Sequence, residues 1–368
     1  MTKVARRSFA SEFEILLART WESQSNALSA QYVRKTRDAI TSIREFYTFK
    51  MQMPSKINYR VKKNRAGYLA SFGERHAYLP HYQLRQISQK FSAKIPQPKE
   101  GELTLTLLGG AAAVEAFGVL YYYNEETQVI RRLNLITIEK VNEWDEVRHL
   151  YVNTLLKDFF RKVTIKDFKI SANLTQPCQR IFAEHHDVLI NTDILMCYNV
   201  LNENEVREQQ AIIANLRYIL NLNMKPLLVM LMEPSPDKSI ARVRPFKTYL
   251  ATISEVLQDD IQAYQFNEDP LRIAMDKDKP QDLNTRLFSQ TVGGAANPVF
   301  YDNIKRIAFS ALKQPNERLP LSSLVQQVED LRDREKGYFI RRRPESAQMD
   351  FLNQLRLKES NTGKKGNG

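Results

Sequence analysis

The sequence has little that could staple or anchor a chain. Only two of its 368 residues are cysteine, Cys178 and Cys197, and neither sits in a CxxC or Cys/His metal-ligand spacing. A disulfide framework, a structural zinc site and an iron–sulfur cluster are therefore not expected. Long apolar runs are missing too. The longest near a strand, residues 227–232, is far short of the roughly 20 residues that a membrane-spanning helix needs. The opening MTKVARRSFASEF lacks the apolar core of a secretion signal. These absences lead us to expect a soluble, intracellular, cytoplasmic protein with no membrane and no metal among its partners. No internal repeat is visible, so a solenoid is excluded.

What the chain does have is positive charge, unevenly placed. The formal net charge is +12. Residues 1–100 hold 19 Lys and Arg against 7 Asp and Glu, an excess equal to that of the whole chain, and the other 268 residues hold 35 of each. Within that remainder, residues 331–368 carry 10 basic and 5 acidic residues, so basic ends flank an acidic middle. Such ends suit a polyanion, RNA or a ribonucleoprotein, although solvated helix faces would look the same, and a protein partner is also compatible.

The basic N-terminal region reads as helical. Ser11 and Glu14 have capping-box spacing ahead of Ile15–Leu17, and a second helical pattern runs from Ala27 to Phe46. A basic cluster, Arg60, Lys62, Lys63 and Arg65, leads into Tyr68, Phe72, Arg75, Tyr78 and Tyr82. Cations interleaved with aromatics can neutralise phosphates and stack bases. The alternative is that the rings pack on a neighbouring layer while the cations face water. Residues 95–101, IPQPKEG, then close the region. The chain thus divides into a basic α-helical N-terminal domain (1–100), an α/β domain (101–330) and a basic, partly disordered tail (331–368).

From residue 103 strands alternate with helices. Strands are expected at 103–108, 133–138, 169–174, 187–194 and 226–232, and helices at 112–123, 143–160 and 206–220. This alternation argues for a doubly wound parallel sheet. Farther on, 240–257 and 301–312 read as helices, 259–282 as irregular, and 288–300 as late strands or a loop.

The chain is organised around residues 103–118, LTLTLLGGAAAVEAFG: a strand, a tight turn at Gly109-Gly110 and a small-residue helix. Such a unit points backbone N–H groups and a helix N-terminus at one spot, which suits a nucleotide-like ligand. Glu139 ends the second apolar run, where an acid holds ribose hydroxyls in dinucleotide folds. Together they point to an adenosine-containing cofactor.

The succession LLGGAAAVEAFG, ITIEKVNEW, DVLINTDILMCYNVLNEN and LMEPSP resembles that of class I S-adenosylmethionine-dependent methyltransferases. Asn202-Glu203, Glu233-Pro234 and the Arg65–Leu69 segment are more particularly similar to ribosomal small-subunit-associated methyltransferase-like proteins. The resemblance implies a Rossmann-like methyltransferase sheet with S-adenosylmethionine held by Gly109, Gly110, Ala111, Glu115, Glu139 and Asp193. It also implies a catalytic edge after the fourth strand, made by Asp193, Tyr198, Asn199, Asn202 and Glu203. Departures accompany it: Leu107 replaces an acid, alanines stand at 111 and 113 where the family has glycine, and the cysteine cluster common in the ribosome-associated group is missing. No Asn-Pro-Pro-Tyr sequence is present, and Cys197 reads as a buried, inert thiol. The function implied is methyl transfer, with RNA held by the N-terminal helices as acceptor. The alternative is a catalytically inactive scaffold or assembly factor on the same fold. A small-molecule methyltransferase would leave the basic ends unexplained.

Overall fold

Strand β1 (Glu102–Leu108) buries every residue from Leu103 onward, as a central strand covered on both faces must. The structure, a computed structural model, describes residues 9–22, 24–45, 57–91, 95–124, 130–200, 204, 206–223, 227–234, 262–266 and 306–313. Around β1 lie β2 (Arg132–Ile138), β3 (Thr164–Ile170), β4 (Ile194–Tyr198), β5 (Leu227–Pro234), β6 (Gln262–Phe266) and β7 (Arg306–Lys313), in the order β3-β2-β1-β4-β5-β7-β6. Strands β1 to β5 are mutually parallel, and β7 runs antiparallel to both β5 and β6. The chain winds outward from β1 to β3, then returns to place β4 on the other side of β1. That reversal opens a crevice at the carboxyl ends of β1 and β4. This is the doubly wound, Rossmann-like sheet expected from the sequence.

Strands β1 to β5 serve two cores by alternation. On β5, Leu228, Met230 and Met232 join a cluster built with the N-terminal helices, while Leu227, Val229 and Leu231 join a second cluster with Phe182, Leu189, Ile212, Leu216 and Ile219. Helices α8 (Gln179–Glu184), α9 (His186–Leu189) and α10 (Val206–Leu222) cover that second face. The first face is covered by α1 (Phe9–Trp21), α2 (Ala30–Glu45), α3 (Lys62–Tyr68), α4 (Glu74–Phe91), α5 (Ala116–Tyr122) and α6 (Trp144–Leu150). The basic N-terminal helices thus share a core with the sheet: Phe9 packs on Phe117 of α5 with ring centroids 4.2 Å apart. A β-carbon on Gly118 would stand 2.5 Å from the Ala77 carbonyl oxygen, so only glycine lets α5 meet α4 this closely. The aromatics from Phe72 to His81 face inward, which is the packing alternative for that segment.

Several expected elements shift. Ser11 lies inside α1 and does not cap it. The third strand is Thr164–Ile170, not 169–174; its sequence TIKDFKI alternates polar with apolar because it is the sheet's edge, and no continuous apolar run marks it. The fourth strand is Ile194–Tyr198, not 187–194, and α9 occupies the apolar stretch before it. The segment 301–312, expected as a helix, contains β7, whose pairing with distant β5 overrides local propensity. Strand β6 likewise falls within 259–282. Helix α6 continues through a π-helical stretch, Tyr151–Leu156, into α7 (Lys157–Phe159), close to the expected 143–160. The expected elements at 240–257 and 288–300 and the tail 331–368 lie outside the described residues.

Candidate functional site

At the carboxyl edge of the sheet lies a cavity of about 570 Å³, within the usual range of small-molecule sites. The turn after β1 forms its floor. Gly109 adopts φ 65°, and a β-carbon there would stand 2.7 Å from Val200 Cγ2. Ala111 (φ 42°) and Ala113 (φ 59°) keep left-handed backbone without being glycine, and Asn199, just past β4, does the same (φ 57°). Left-handed alanine costs about 1 to 2 kcal/mol per residue. Three such residues at one sheet edge mark a backbone held in place by its surroundings, the usual sign of a functional edge.

Glu139, at the tip of β2, lines the cavity. Its Oε2 accepts from the Ala111 N–H at 3.3 Å and its Oε1 from the Val141 N–H at 2.9 Å. Burial raises its pKa, and the two backbone donors work against that rise. Each oxygen keeps further acceptor capacity, because an ionised carboxylate offers about four lone-pair sites.

An aromatic wall stands beside it. Trp144 meets Tyr59 and Tyr68 with ring centroids 5.7 and 5.8 Å apart, and all three line the cavity. Arg65 underpins this wall. It is 5% exposed, and its Nη1 donates to the carbonyls of Tyr59 at 2.9 Å and Arg60 at 2.8 Å. The expectation that Arg65 grips nucleic acid is thereby corrected: its guanidinium holds the loop that shapes the cavity. Arg60 and Lys140 are both exposed and line the cavity mouth, and the Lys140 charge favours the ionised form of Glu139. Lys62 is exposed and Lys63 half-buried, while the side chains of Arg75 and Glu233 lie outside the described residues.

Tyr198 and Asn199 line the cavity at the end of β4. The Tyr198 hydroxyl donates to Gln83 Oε1 from α4. Asn199 is buried, and its Nδ2 lies 3.1 Å from His76 Nε2, also on α4. Asp193 is elsewhere. It precedes β4 at the opposite, amino edge of the sheet, where its Oδ2 accepts from the Thr104 N–H at 2.8 Å. Its expected place at the catalytic and cofactor edge is corrected, because the true strand starts one residue after it. Glu115 is also outside the cavity lining: it is buried behind the turn, 3.7 Å from His76 Nδ1. Gly110 is buried in the turn, its missing β-carbon facing Leu107 and Thr137. Asn202 and Glu203 lie outside the described residues. Cys197 is buried in the second core, as expected. Among the described residues no cluster of His, Cys, Asp and Glu could hold a metal.

Sequence reasoning missed the second rank of the site. Gln83 has no motif. Asn173 and Thr175 line the cavity from the loop after β3, which was itself misplaced. His76 carries no motif either.

No family model and no curated protein matches the chain. Among solved structures it is similar to an O-methyltransferase family protein from Burkholderia thailandensis, at 10% identity and TM-score 0.41 over 81% of this chain and 77% of that one. A phosphoethanolamine methyltransferase of Haemonchus contortus with bound S-adenosylhomocysteine is similar at 11% identity and TM-score 0.39 over 71% and 61%. The methyltransferase domain of bacterial CtHen1-C is similar at 9% identity and TM-score 0.36 over 64% and 98%. Such identities carry no ligand or substrate from one chain to another, and the fold assignment rests on the strand order itself.

Proposed function

We propose that this protein is an S-adenosylmethionine-dependent methyltransferase that holds its cofactor in the cavity at the carboxyl edge of the sheet. The carrying observation is Glu139: a carboxylate at the tip of β2, bound to the turn after β1, on the wall of a cavity at the topological switch point. The residues fit the group. Glu139 would accept from the ribose hydroxyls, the Gly109–Ala111 backbone would border the amino-acid portion, and Trp144 with Val141 would flank the adenine. The cofactor supplies an electrophilic methyl group on a sulfonium. What the chain supplies is position: Tyr198, fixed from behind by Gln83, would hold an acceptor in line and exclude water, and Asn199, fixed by His76, would border the cofactor's amino-acid portion beside the turn. Purified protein titrated calorimetrically with S-adenosylmethionine and with S-adenosylhomocysteine should bind both at micromolar concentration. Absence of binding of either at millimolar concentration would overturn the reading.

The acceptor we favour is RNA. Support comes from Arg60 and Lys140, exposed cations at the cavity mouth, with Lys62 exposed on α3 nearby in sequence. Retention on RNA should fall steeply with added salt, and labelled methyl transfer to RNA separates an enzyme from a scaffold that binds without turnover.

A further inference from the structure

Behind the cavity wall lies a buried polar cluster in which Glu115 has no part in the proposed chemistry. His76 on α4 is 2% exposed, with its ring stacked on Phe72 at a centroid distance of 5.8 Å. Its two nitrogens face different partners. Nδ1 is 3.7 Å from Glu115 Oε1 and 3.3 Å from the Tyr68 hydroxyl, and Nε2 is 3.1 Å from Asn199 Nδ2. Glu115 is 8% exposed, and among the described residues its Oε2 has no hydrogen-bond partner. Tyr68 and Asn199 line the cavity; His76 and Glu115 do not.

We propose that His76 is a positioning residue that relays the ionisation state of Glu115 to Asn199 on the cavity wall. The inference rests on the cofactor reading of that cavity. An amide nitrogen only donates, so Nε2 must accept from Asn199 and the ring proton must sit on Nδ1, facing the Tyr68 hydroxyl at 3.3 Å and the Glu115 carboxylate at 3.7 Å. When Glu115 takes up a proton, its O–H closes the 3.7 Å gap and donates to Nδ1, the Tyr68 hydroxyl no longer accepts there, and the ring carries its proton on Nε2 instead. Two donors then confront each other at Asn199, whose amide must turn over. Asn199 already holds a left-handed backbone, so the wall there has a defined geometry to lose.

The groups around the pair allow this exchange near neutral pH. Burial raises the Glu115 pKa to about 7. Tyr151, whose hydroxyl donates to Val114 O at 2.8 Å, has its pKa pushed far up by burial, with Glu115 and Tyr78 adding to the rise, and so stays protonated. Glu74, two residues before His76, is a second buried carboxylate on the same helix. Among the described residues no lysine or arginine stands within ion-pair distance of Glu115 to hold it ionised.

The test titrates the full chain with S-adenosylhomocysteine at pH 6 and pH 8, in wild type, Glu115→Gln, His76→Gln and His76→Leu. Wild type should bind about fivefold to tenfold more weakly at pH 6. Glu115→Gln should remove that dependence. His76→Gln can still accept from Asn199, and should bind equally at both pH values and near the wild-type pH 8 affinity. His76→Leu should be weaker at both by about tenfold or more. The same change is read without ligand from the imidazole ¹⁵N shifts of His76, which should switch tautomer near neutral pH in wild type and not in Glu115→Gln. A pH dependence that survives Glu115→Gln, a His76→Leu affinity within twofold of wild type, or a fixed His76 tautomer would overturn the relay. If wild type binds no cofactor at either pH, the proposed function fails and the tautomer measurement alone decides the relay.

Discussion

Two acids, one at each edge of the sheet, do different work. Glu139 at the carboxyl edge and Asp193 at the amino edge both accept a backbone N–H. Glu139 does so from the wall of a cavity, where its remaining lone pairs face a space large enough for a ligand. Asp193 stitches the start of β4 to β1: its carboxylate takes the Thr104 N–H, and its own N–H donates to the Thr104 carbonyl at 2.9 Å. Residue type therefore says little. Position along the strand decides whether an acid binds a ligand or closes a ladder.

The comparison sharpens with substitutions that act on one edge. The largest effect is expected at Glu115, beside the carboxyl edge. Its folded pKa, about 7, lies above the usual 4.5 of a free glutamate. The folded state thus holds the proton more tightly than the unfolded chain, and stability falls as pH rises through that window. Glu115→Gln removes this loss: at pH 8 the variant should be more stable than wild type by up to about 3 kcal/mol, with the difference shrinking toward pH 5. Denaturant melts at the two pH values measure it. Next comes Asp193→Ala, which should destabilise by about 2 kcal/mol, since it strands the Thr104 N–H and removes a charge-assisted bond, while cofactor affinity stays unchanged. The smallest effect is expected from Ala111→Gly. Relief of the left-handed alanine, offset by the greater freedom of glycine in the unfolded chain, should leave the variant more stable by about 0.5 to 1 kcal/mol in a thermal melt. Ala113 would show less, because its fully buried methyl is lost in the exchange.

The same contrast explains what could be read from the sequence. The carboxyl edge at β1 and β2 was legible because buried parallel strands are continuous apolar runs and because a Gly-Gly turn and a terminal acid punctuate them. Strand β5 was legible for the same reason. The amino edge of β4 was not, since Val188, Leu189 and Ile190 form an apolar run just before the true strand Ile194–Tyr198 yet fold as a short helix and turn. That misplacement carried Asp193 to the wrong edge. Strand β3 hid behind edge polarity, and β7 behind pairing with a distant strand. Arg65 looked like its basic neighbours, and only its burial against two carbonyls distinguishes it. His76 and Gln83 come from helices far from the sheet in sequence, so their contacts with Asn199 and Tyr198 exist only in the fold.

The most direct measurement is calorimetric titration of S-adenosylmethionine into wild type, Glu139→Ala and Asp193→Ala, with thermal melts of all three. Wild type should bind at micromolar concentration, Glu139→Ala should lose about 1 to 3 kcal/mol of binding while staying folded, and Asp193→Ala should keep its affinity while melting lower. Equal affinity in wild type and Glu139→Ala, or loss of binding in a folded Asp193→Ala, would contradict the assignment of the cofactor to the carboxyl edge.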